Sequence, residues 1–344
     1  MATLELKILS IASDRQVVIE ALDLEVADGE LLALLGPSGA GKTSILKAIA
    51  GLLKPFAGEI LIDGQAVNGL APERRNVVMV FQQPLLFPFM DVARNITFGL
   101  KMQRISGAEA KQRMQKILAL TQLQGLESRK VHELSGGQQQ RVSLARALVL
   151  DPGVLLMDEP LSHLDAGLRQ KMRELIEEVQ KETGVTTIFV THDQAEALTL
   201  SDRVALILDG RLRQVGSPQR LFRNPGDRQV ATFFGGCNFF QGKLRNGHLV
   251  TEFGRFPVSN GNGNGRTMTA TIRPEDIQLR TAVPGTLSGR IEKTRFEGSQ
   301  TRLWLQCNGT RWVVLTSEDV YRKGQHVEVH LPPKKVRIFS SQRE

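Results

Sequence analysis

Residues 36 to 43 read Gly36-Pro37-Ser38-Gly39-Ala40-Gly41-Lys42-Thr43. They follow the apolar run Leu31 to Leu35 and precede a segment in which Ile45, Leu46, Ile49 and Ala50 recur at helical spacing. A strand apolar on both faces, a glycine-rich turn and a helix predict a loop whose backbone N–H groups converge on an anion at the helix N-terminus. In the spacing Gly-x-x-x-x-Gly-Lys-Thr the glycines let backbone approach phosphates closely. Lys42 supplies charge for the β- and γ-phosphates, and the Thr43 hydroxyl is a ligand for Mg²⁺. Residues 36 to 44, Ser44 included, are the expected phosphate contacts. Alone, the loop does not separate a kinase from a GTPase or a motor.

The surroundings predict how the loop is held. Upstream, Leu4, Leu6 and Ile8 alternate as in a half-buried strand, and Val17 to Leu24 forms another. Downstream, Gly58 to Gly64 is a short strand closed by a turn, and Val77 to Phe81 a further strand. From 83 to 150, after Pro84 and Pro88, the texture is helical, with one helix over about 107 to 124. Apolar strands return at Val154 to Met157 and Thr186 to Thr191, separated by a helix over about 166 to 182. This alternation implies an α/β core around a mostly parallel sheet, with the helical insert to one side. Beyond about 218, Pro218, Pro225 and Gly226 break the helices. Short alternating strands and a Gly/Asn tip at 260 to 265 then predict a β-rich domain of barrel type. The aromatic cluster from Phe233 to Phe240 reads as a seam joining the two domains rather than a membrane-touching patch.

The chain has 344 residues, 41% hydrophobic and 23% charged, room for one large domain and a smaller one. No run of about 18 apolar residues is present, so no span is expected, and the N-terminus lacks the pattern of a secretory signal. Cys237 and Cys307 have no metal-ligand spacing and are expected to be packed thiols in a reducing cytoplasm. The formal charge of +8 is dispersed rather than clustered. That argues against nucleic acid as a partner and suits work beside an anionic membrane face.

Two more segments carry chemistry. Val154 to Met157 runs into Asp158-Glu159, which places Asp158 to hold magnesium through water and Glu159 to polarise the attacking water as a general base. Leu134-Ser135-Gly136-Gly137-Gln138, then Gln139-Gln140-Arg141, precedes a helix carrying Leu144, Ala147 and Leu148. It is a second anion-binding cap. One active site does not need two such caps, so the second is expected to close on the ATP of another copy.

In the order phosphate loop, Gln82, Leu134 to Gln138, Asp158-Glu159, Leu164-Asp165 and His192, residues 3 to 235 resemble the ATP-binding cassette family of transport ATPases. The resemblance implies a phosphate-loop NTPase of α/β class, a RecA-like core with antiparallel and helical subdomains. It also implies a head-to-tail homodimer sandwiching two ATP between one copy's phosphate loop and the other's Ser135 to Gln138. By the same resemblance Gln82 touches Mg²⁺ and the water and senses the transport partner, Asp165 communicates across the dimer, and His192 holds the γ-phosphate and the geometry of Glu159. His163 is read as a loop residue without a proton-transfer role. One departure stands out: no aromatic lies near Ser13, so base contacts are expected from Ile11 and Val18 instead, and GTP is expected to be tolerated.

Phe81 to Pro88 and Glu196-Ala197 resemble the bacterial importer branch. Ile272-Arg273-Pro274-Glu275-Asp276-Ile277 and residues 285 to 339, with Phe296-Glu297-Gly298 and Leu331-Pro332-Pro333, resemble the small oligonucleotide-fold (TOBE-type) regulatory domain that follows such ATPases. The expected organisation is an ATPase domain over 1 to 235, with a helical subdomain at about 83 to 150, and a regulatory domain over 236 to 344. The implied partners are a second copy, integral membrane permease subunits and, indirectly, a solute-binding protein, with the chain peripheral at the cytoplasmic face of the bacterial inner membrane. A non-transport cassette ATPase and a ligand sensor in the C-terminal domain are the competing readings. The solute stays open among oxyanions, ferric iron, polyamines and sugars.

Overall fold

The computed structural model describes residues 2–13, 16–258, 265–281 and 287–339, with only the backbone of Ser13 and Thr281. The expected Gly/Asn tip lies, apart from Gly265, outside the described residues. Two compact units are formed, Met1–Leu221 and Phe222–Glu344.

The first unit opens with the antiparallel strands β1 (Leu4–Ser13) and β2 (Gln16–Val26), followed by β3 (Leu31–Leu35) and α1 (Lys42–Ile49). Next come β4 (Ala57–Ile62), β5 (Gln65–Ala66) and β6 (Val77–Val80), then the helices α2 (Val92–Met102), α3 (Gly107–Leu120) and α4 (Gly136–Leu148). The unit continues with β7 (Val154–Asp158), α5 (Ala166–Thr183), β8 (Thr186–Thr191), α6 (Gln194–Leu200), β9 (Arg203–Leu208) and β10 (Arg211–Gly216). Six strands form one sheet in the order β10-β9-β3-β8-β7-β6, and four form a second in the order β2-β1-β4-β5. Every pairing in the six-stranded sheet is parallel except β10 with β9. Parallel strands are covered on both faces, which is why β3, β7 and β8 are buried at every position. Leu32 and Leu34 join Val154, Leu156, Ile188 and Val190 in a core shared with Ile45, Leu46 and Ile49 of α1 and with Leu4, Leu6, Leu9 and Ile11. The helix that begins at the phosphate loop is thus packed into the core that unites the two sheets.

Three local expectations are corrected. The alternation through Leu4 and Leu6 breaks at Ile8, which is 62% exposed while Leu9 and Ile11 are fully buried. Ile8 has φ +49° and the β1–β2 register shifts between Leu6 and Leu9, so a bulge turns the next apolar side chains inward. The helix expected to reach 124 ends at Leu120. Gln122 takes φ +55°, and the N–H of Leu123 returns to the carbonyl of Leu118 at 2.8 Å, closing the helix as a Schellman turn. Of the two thiols, Cys307 is packed but Cys237 is exposed.

α2 and α4 hold the segment that follows Gln82. Asn95, with no exposed surface, accepts from the Phe87 N–H at 2.9 Å and donates to the carbonyls of Phe87 and Asp91. Arg146 donates to the carbonyls of Pro84 and Leu85 and lies over the Phe87 ring.

α7 (Pro218–Arg223) crosses the division between the units, and α8 (Arg228–Phe233) belongs to the second. The sequence reading puts residues 222 to 235 with the first domain. The contact division puts them with the second, where Arg273 donates to the carbonyls of Phe222 and Phe234. The strands that follow are β11 (Asn238–Arg245), β12 (His248–Thr251), β13 (Gly254–Pro257), β14 (Thr267–Ile272), β15 (Gln278–Thr281), β16 (Ser288–Phe296), β17 (Thr301–Cys307), β18 (Thr310–Thr316), β19 (His326–His330) and β20 (Arg337–Phe339). They make two five-stranded antiparallel sheets, β13-β12-β11-β14-β20 and β15-β19-β16-β17-β18, around one core. Phe240 packs there on Phe253, Phe256 and Trp312 with ring centroids 5.5 to 5.6 Å apart, and Phe234 is buried against Phe222 and Phe233.

Trp312 is 1% exposed and its ring stacks edge-on against Phe253 at 4.8 Å. Trp312→Ala is expected to lower the unfolding free energy of the second unit by about 3–5 kcal/mol. Urea unfolding followed by far-UV circular dichroism checks this.

Candidate active site

The parallel strands deliver their functional residues to one edge, because β3 ends at Leu35, β7 at Asp158 and β8 at Thr191. Ligands of open parallel sheets lie beyond the carboxyl ends of such strands. The loop from Gly36 is pressed against the sheet: a Cβ at Gly36 would lie 2.2 Å from the Ile207 carbonyl oxygen of β9. Gly41, at φ +87°, would put a Cβ 2.6 Å from the Ile19 side chain and 2.9 Å from the Val18 carbonyl oxygen of β2. Both positions therefore demand glycine, one for space and one for space and conformation. Gly36 is buried, while Pro37, Ser38 and Gly39 are exposed at the loop tip.

Lys42 is 4% exposed and donates at 2.8 Å to the carbonyls of both Gly36 and Pro37, folding the loop back over its own ammonium. Burial lowers its pKa, opposed by the carboxylates of Glu159 and Asp158. Thr43 donates its hydroxyl to Asp158 Oδ1 at 2.8 Å, the bond that joins the phosphate loop to β7. Burial raises the pKa of Asp158, with the Thr43 hydrogen bond acting against it. A hydroxyl and a carboxylate held together at the mouth of a phosphate loop are hard oxygen donors suited to Mg²⁺, with phosphates and water completing the shell.

Glu159 occupies the left-handed region at φ +44°, a conformation non-glycine residues rarely adopt. Its N–H donates to the Val190 carbonyl at 3.1 Å and its carbonyl accepts the Ser162 hydroxyl at 3.0 Å, which fixes the turn. The carboxylate is gripped from both sides: His192 Nδ1 lies 3.1 Å from Oε1, and the Gln82 amide donates to Oε2 at 3.3 Å and to Ser162 Oγ at 3.2 Å. Gln82, Glu159 and His192, far apart in sequence, thus meet in one cluster.

Behind His192 lies a cavity of about 50 Å³ lined by Glu159, Ser162, Arg169, Thr191, His192, Asp193 and Glu196. Glu196 is buried and accepts the Thr191 hydroxyl at 2.6 Å; burial raises its pKa. Arg169 donates to the Leu164 carbonyl at 3.1 Å and faces Asp193 at 3.8 Å and Glu196 at 3.9 Å. One guanidinium therefore ties the loop before Asp165 to the loop after His192. Ser162 and Arg169 are members of this network that motif reading missed, and Glu196 was marked only as a sign of the importer branch. Only helical spacing, Arg169 lying four residues after Asp165, could have drawn attention to one of them.

The remaining expected residues sit elsewhere in the chain or serve as caps. Asp165 is the N-cap of α5 and accepts from the Leu168 N–H at 2.9 Å. Ser135 is the N-cap of α4 in a reciprocal box with Gln138, at 3.3 and 2.9 Å. Gly136 is open to solvent, whereas Gly137 is buried near Leu168. The contact with a base expected from Ile11 is excluded, because Ile11 has no exposed surface and belongs to the core. Val18 is only partly buried. The side chains at 13 to 15 lie outside the described residues.

These parts are those of a phosphate-loop ATPase: an anion cradle, hard oxygen donors and a carboxylate held between a histidine and an amide. The chain belongs to the ABC transporter family, as an ATP-hydrolysing subunit of an import complex. The ABC transporter family matches residues 19–162 and the TOBE domain matches residues 270–339. The Spermidine/putrescine import ATP-binding protein PotA of Acetivibrio thermocellus is 40% identical over 328 residues, 95% of this chain and 93% of that protein. The Fe(3+) ions import ATP-binding protein FbpC of Escherichia coli O157:H7 is 43% identical over 298 residues, 85% of this chain and 84% of that protein. Among solved structures, cbiO1 of Clostridium perfringens, part of the ABC transporter complex cbiONQ, shares 31% identity at a TM-score of 0.60 over 64% of this chain and 90% of that one. The post-hydrolysis dimer of the ATP-binding cassette MJ0796 bound to ADP and Pi shares 30% identity at 0.56, over 62% of this chain and 98% of that one.

Because burial raises the Asp158 pKa, the folded chain holds that proton more tightly than the unfolded chain does, and the carboxylate becomes a liability as pH rises through the raised value. Asp158→Asn keeps an acceptor for Thr43 and removes the charge. It is expected to melt at the same or higher temperature than the parent at neutral pH, with the gap closing on acidification, while Mg²⁺-dependent hydrolysis is lost. Differential scanning calorimetry across pH, paired with phosphate release, checks both halves.

Proposed function

We propose that two copies of this chain bind two Mg-ATP head to tail and drive a small solute through integral membrane permease subunits at the cytoplasmic face of the inner membrane. The observation that carries the dimer reading is the pair of anion caps. Gly36–Thr43 starts α1 beside Asp158, whereas Ser135–Gln138 starts α4 in the helical subdomain and has its side chains bonded to each other. The relative solved as a dimer with ADP and Pi supports the same arrangement. A second copy's Ser135, Gly136, Gly137 and Gln138 would complete each site, with Asp165 at the joint.

In this reading Thr43, Gln82 and Asp158 hold Mg²⁺, which when bound neutralises charge on the phosphates. Lys42 exchanges its loop carbonyls for β- and γ-phosphate oxygens. Gln82 would release Glu159 and turn to the ion and the water; the freed Oε2 would accept the water's proton as that water attacks the γ-phosphorus, and the bond from the γ-phosphorus to the β–γ bridging oxygen breaks, leaving ADP and inorganic phosphate. His192 keeps Glu159 oriented and reaches the γ-phosphate. Removing a positioned general base costs about 10²–10⁴-fold in rate. Glu159→Gln is therefore expected to bind ATP, dimerise and stall. Gel filtration with Mg-ATP, alongside phosphate release, checks it; wild-type turnover would remove Glu159 from the role of base.

The permease is proposed to dock beside Gln82. There a groove of about 340 Å³ is lined by Met79, Phe81, Leu85, Phe87 and Phe98. Phe89 nearby is 70% exposed and Leu85 56%. Isolated exposed apolar side chains are ordinary, but a cluster rimming a groove marks an interface. The relatives' names point to polyamine or ferric iron as the solute, delivered from a solute-binding protein, with the ATPase domain ending between 221 and 235 and the β-rich domain regulatory. Phe89→Asp is expected to leave the ATPase activity of the isolated chain intact and to abolish uptake by the assembled complex. Uptake of radiolabelled spermidine and of ferric iron, with the cognate permease co-expressed, measures this.

A further inference from the structure

A cleft of about 510 Å³ belongs wholly to the second unit and includes none of the nucleotide-site residues. Three segments meet around it: the chain from Phe222 to Gly236, the turn at Arg273 to Asp276, and the turn at Lys334 to Arg337. Its volume falls within the range of small-molecule sites, about 300–1,000 Å³. Its wall holds five cations, Arg223, Arg273, Lys334, Lys335 and Arg337, against two carboxylates, Glu275 and Asp276.

The pairing inside the cleft decides what is left for a ligand. Asp276 is taken by Lys335 at 2.7 Å, and Glu275 faces Arg273 at 3.9 Å. Arg273 is part of the frame: it stacks 3.6 Å over the Phe222 ring and donates to the carbonyls of Phe222 and Phe234. Arg337 spends its Nε on the Arg223 carbonyl at 2.8 Å, which leaves the two terminal nitrogens of its guanidinium. Arg223, Lys334 and the outer face of Arg337 thus come from two segments with no carboxylate partner among the described residues of the cleft. Phe222, Pro225 and Ala231 supply apolar wall between them.

We propose that this cleft binds a small organic polyanion, a molecule with two or more carboxylate or phosphate groups on a carbon framework. Guanidinium groups favour such groups because the planar fork meets two oxygens at once, and an ammonium adds a movable point charge. A cationic cargo is repelled by the same wall, so the ligand is not the polyamine or ferric ion named for the relatives. A nucleic-acid strand fits less well: Phe222, the aromatic of the cleft wall, already has Arg273 stacked 3.6 Å over its ring, and Trp312 and Tyr321 lie inside the core. The site would let the second unit report the level of an anionic metabolite.

The test is isothermal titration of the full chain with citrate and, separately, with fructose 1,6-bisphosphate. The parent is compared with a double variant, Arg223→Glu with Lys334→Glu, both positions being exposed. Binding at the phosphate loop is common to both proteins and cancels in the comparison. A charge-matched control, Lys243→Glu with Arg255→Glu, lies on exposed strand positions outside the cleft. At least one probe is expected to bind saturably, tenfold or more weaker in the cleft variant and unchanged in the control, with thermal midpoint and ATP hydrolysis kept. Which probe responds tells carboxylate from phosphate. Equal affinity in parent and cleft variant overturns the proposal, as does an equal loss in the control or the absence of saturable binding of either probe to the parent.

Discussion

The bond from the Thr43 hydroxyl to Asp158, 2.8 Å long, is the contact on which the rest of the first unit depends. It joins residues 115 positions apart, and it forms only because β3 and β7 lie one strand apart, on either side of β8, in a parallel sheet. Parallel order puts every strand's carboxyl end at one edge, so the loop after β3, the acid at the end of β7 and the histidine after β8 share a neighbourhood without any direct sequence link. Crossover helices and a core on both faces follow from that order. The apolar runs at 31–35, 154–158 and 186–191, buried at every position, are its cost in composition.

The site concentrates what a core normally excludes. Lys42 and Asp158 are buried, and burial alone pushes the two pKa values toward neutralising both. Glu159 adds a backbone conformation that costs of order 1–3 kcal/mol. Each expense is offset locally: Lys42 by two loop carbonyls, Asp158 by a hydroxyl, the Glu159 turn by Val190 and Ser162. An ATPase needs these charges dehydrated, since electrostatic stabilisation of transferring phosphate is strongest away from water. The same preorganisation that serves catalysis is therefore a drain on stability.

How much was legible follows from the range of each interaction. The phosphate loop, the Asp158-Glu159 strand end and the Ser135 cap could be read because backbone geometry ties them to fixed local spacing. The parallel strands were equally plain as unbroken apolar runs. The bulge at Ile8 was hidden, since alternation in a strand predicts faces only while register holds, and Asp23 from the next strand accepts the Ile8 N–H at 2.8 Å to stabilise the break. Asn95 and Arg169 are polar residues in helices, where sequence suggests solvent; their partners are carbonyls of loops that only the tertiary fold brings near. Ile11 was a substitute for the aromatic missing near Ser13, yet the register shift at Ile8 turns it inward.

Ser135 shows how a cap can serve its own helix and still keep donors to offer a ligand. Its Oγ accepts the Gln138 N–H, and its own N–H is taken by the Gln138 side chain, so the α4 terminus is self-sufficient within one chain. An accepting hydroxyl keeps its hydrogen, and the N–H groups of Gly136 and Gly137 at the first turn have no intrahelical acceptor. The hydroxyl of the exposed Ser135 and the N–H of the exposed Gly136 are therefore left as donors at a helix end that carries partial positive charge. Gly136 has no atom within 4 Å of where a Cβ would stand, so backbone can reach a phosphate there without a side chain in the way. The helix is stable before any nucleotide arrives, and closing on one in another copy would cost little rearrangement. A cap that had to break its own box in order to bind would oppose the closure proposed for it.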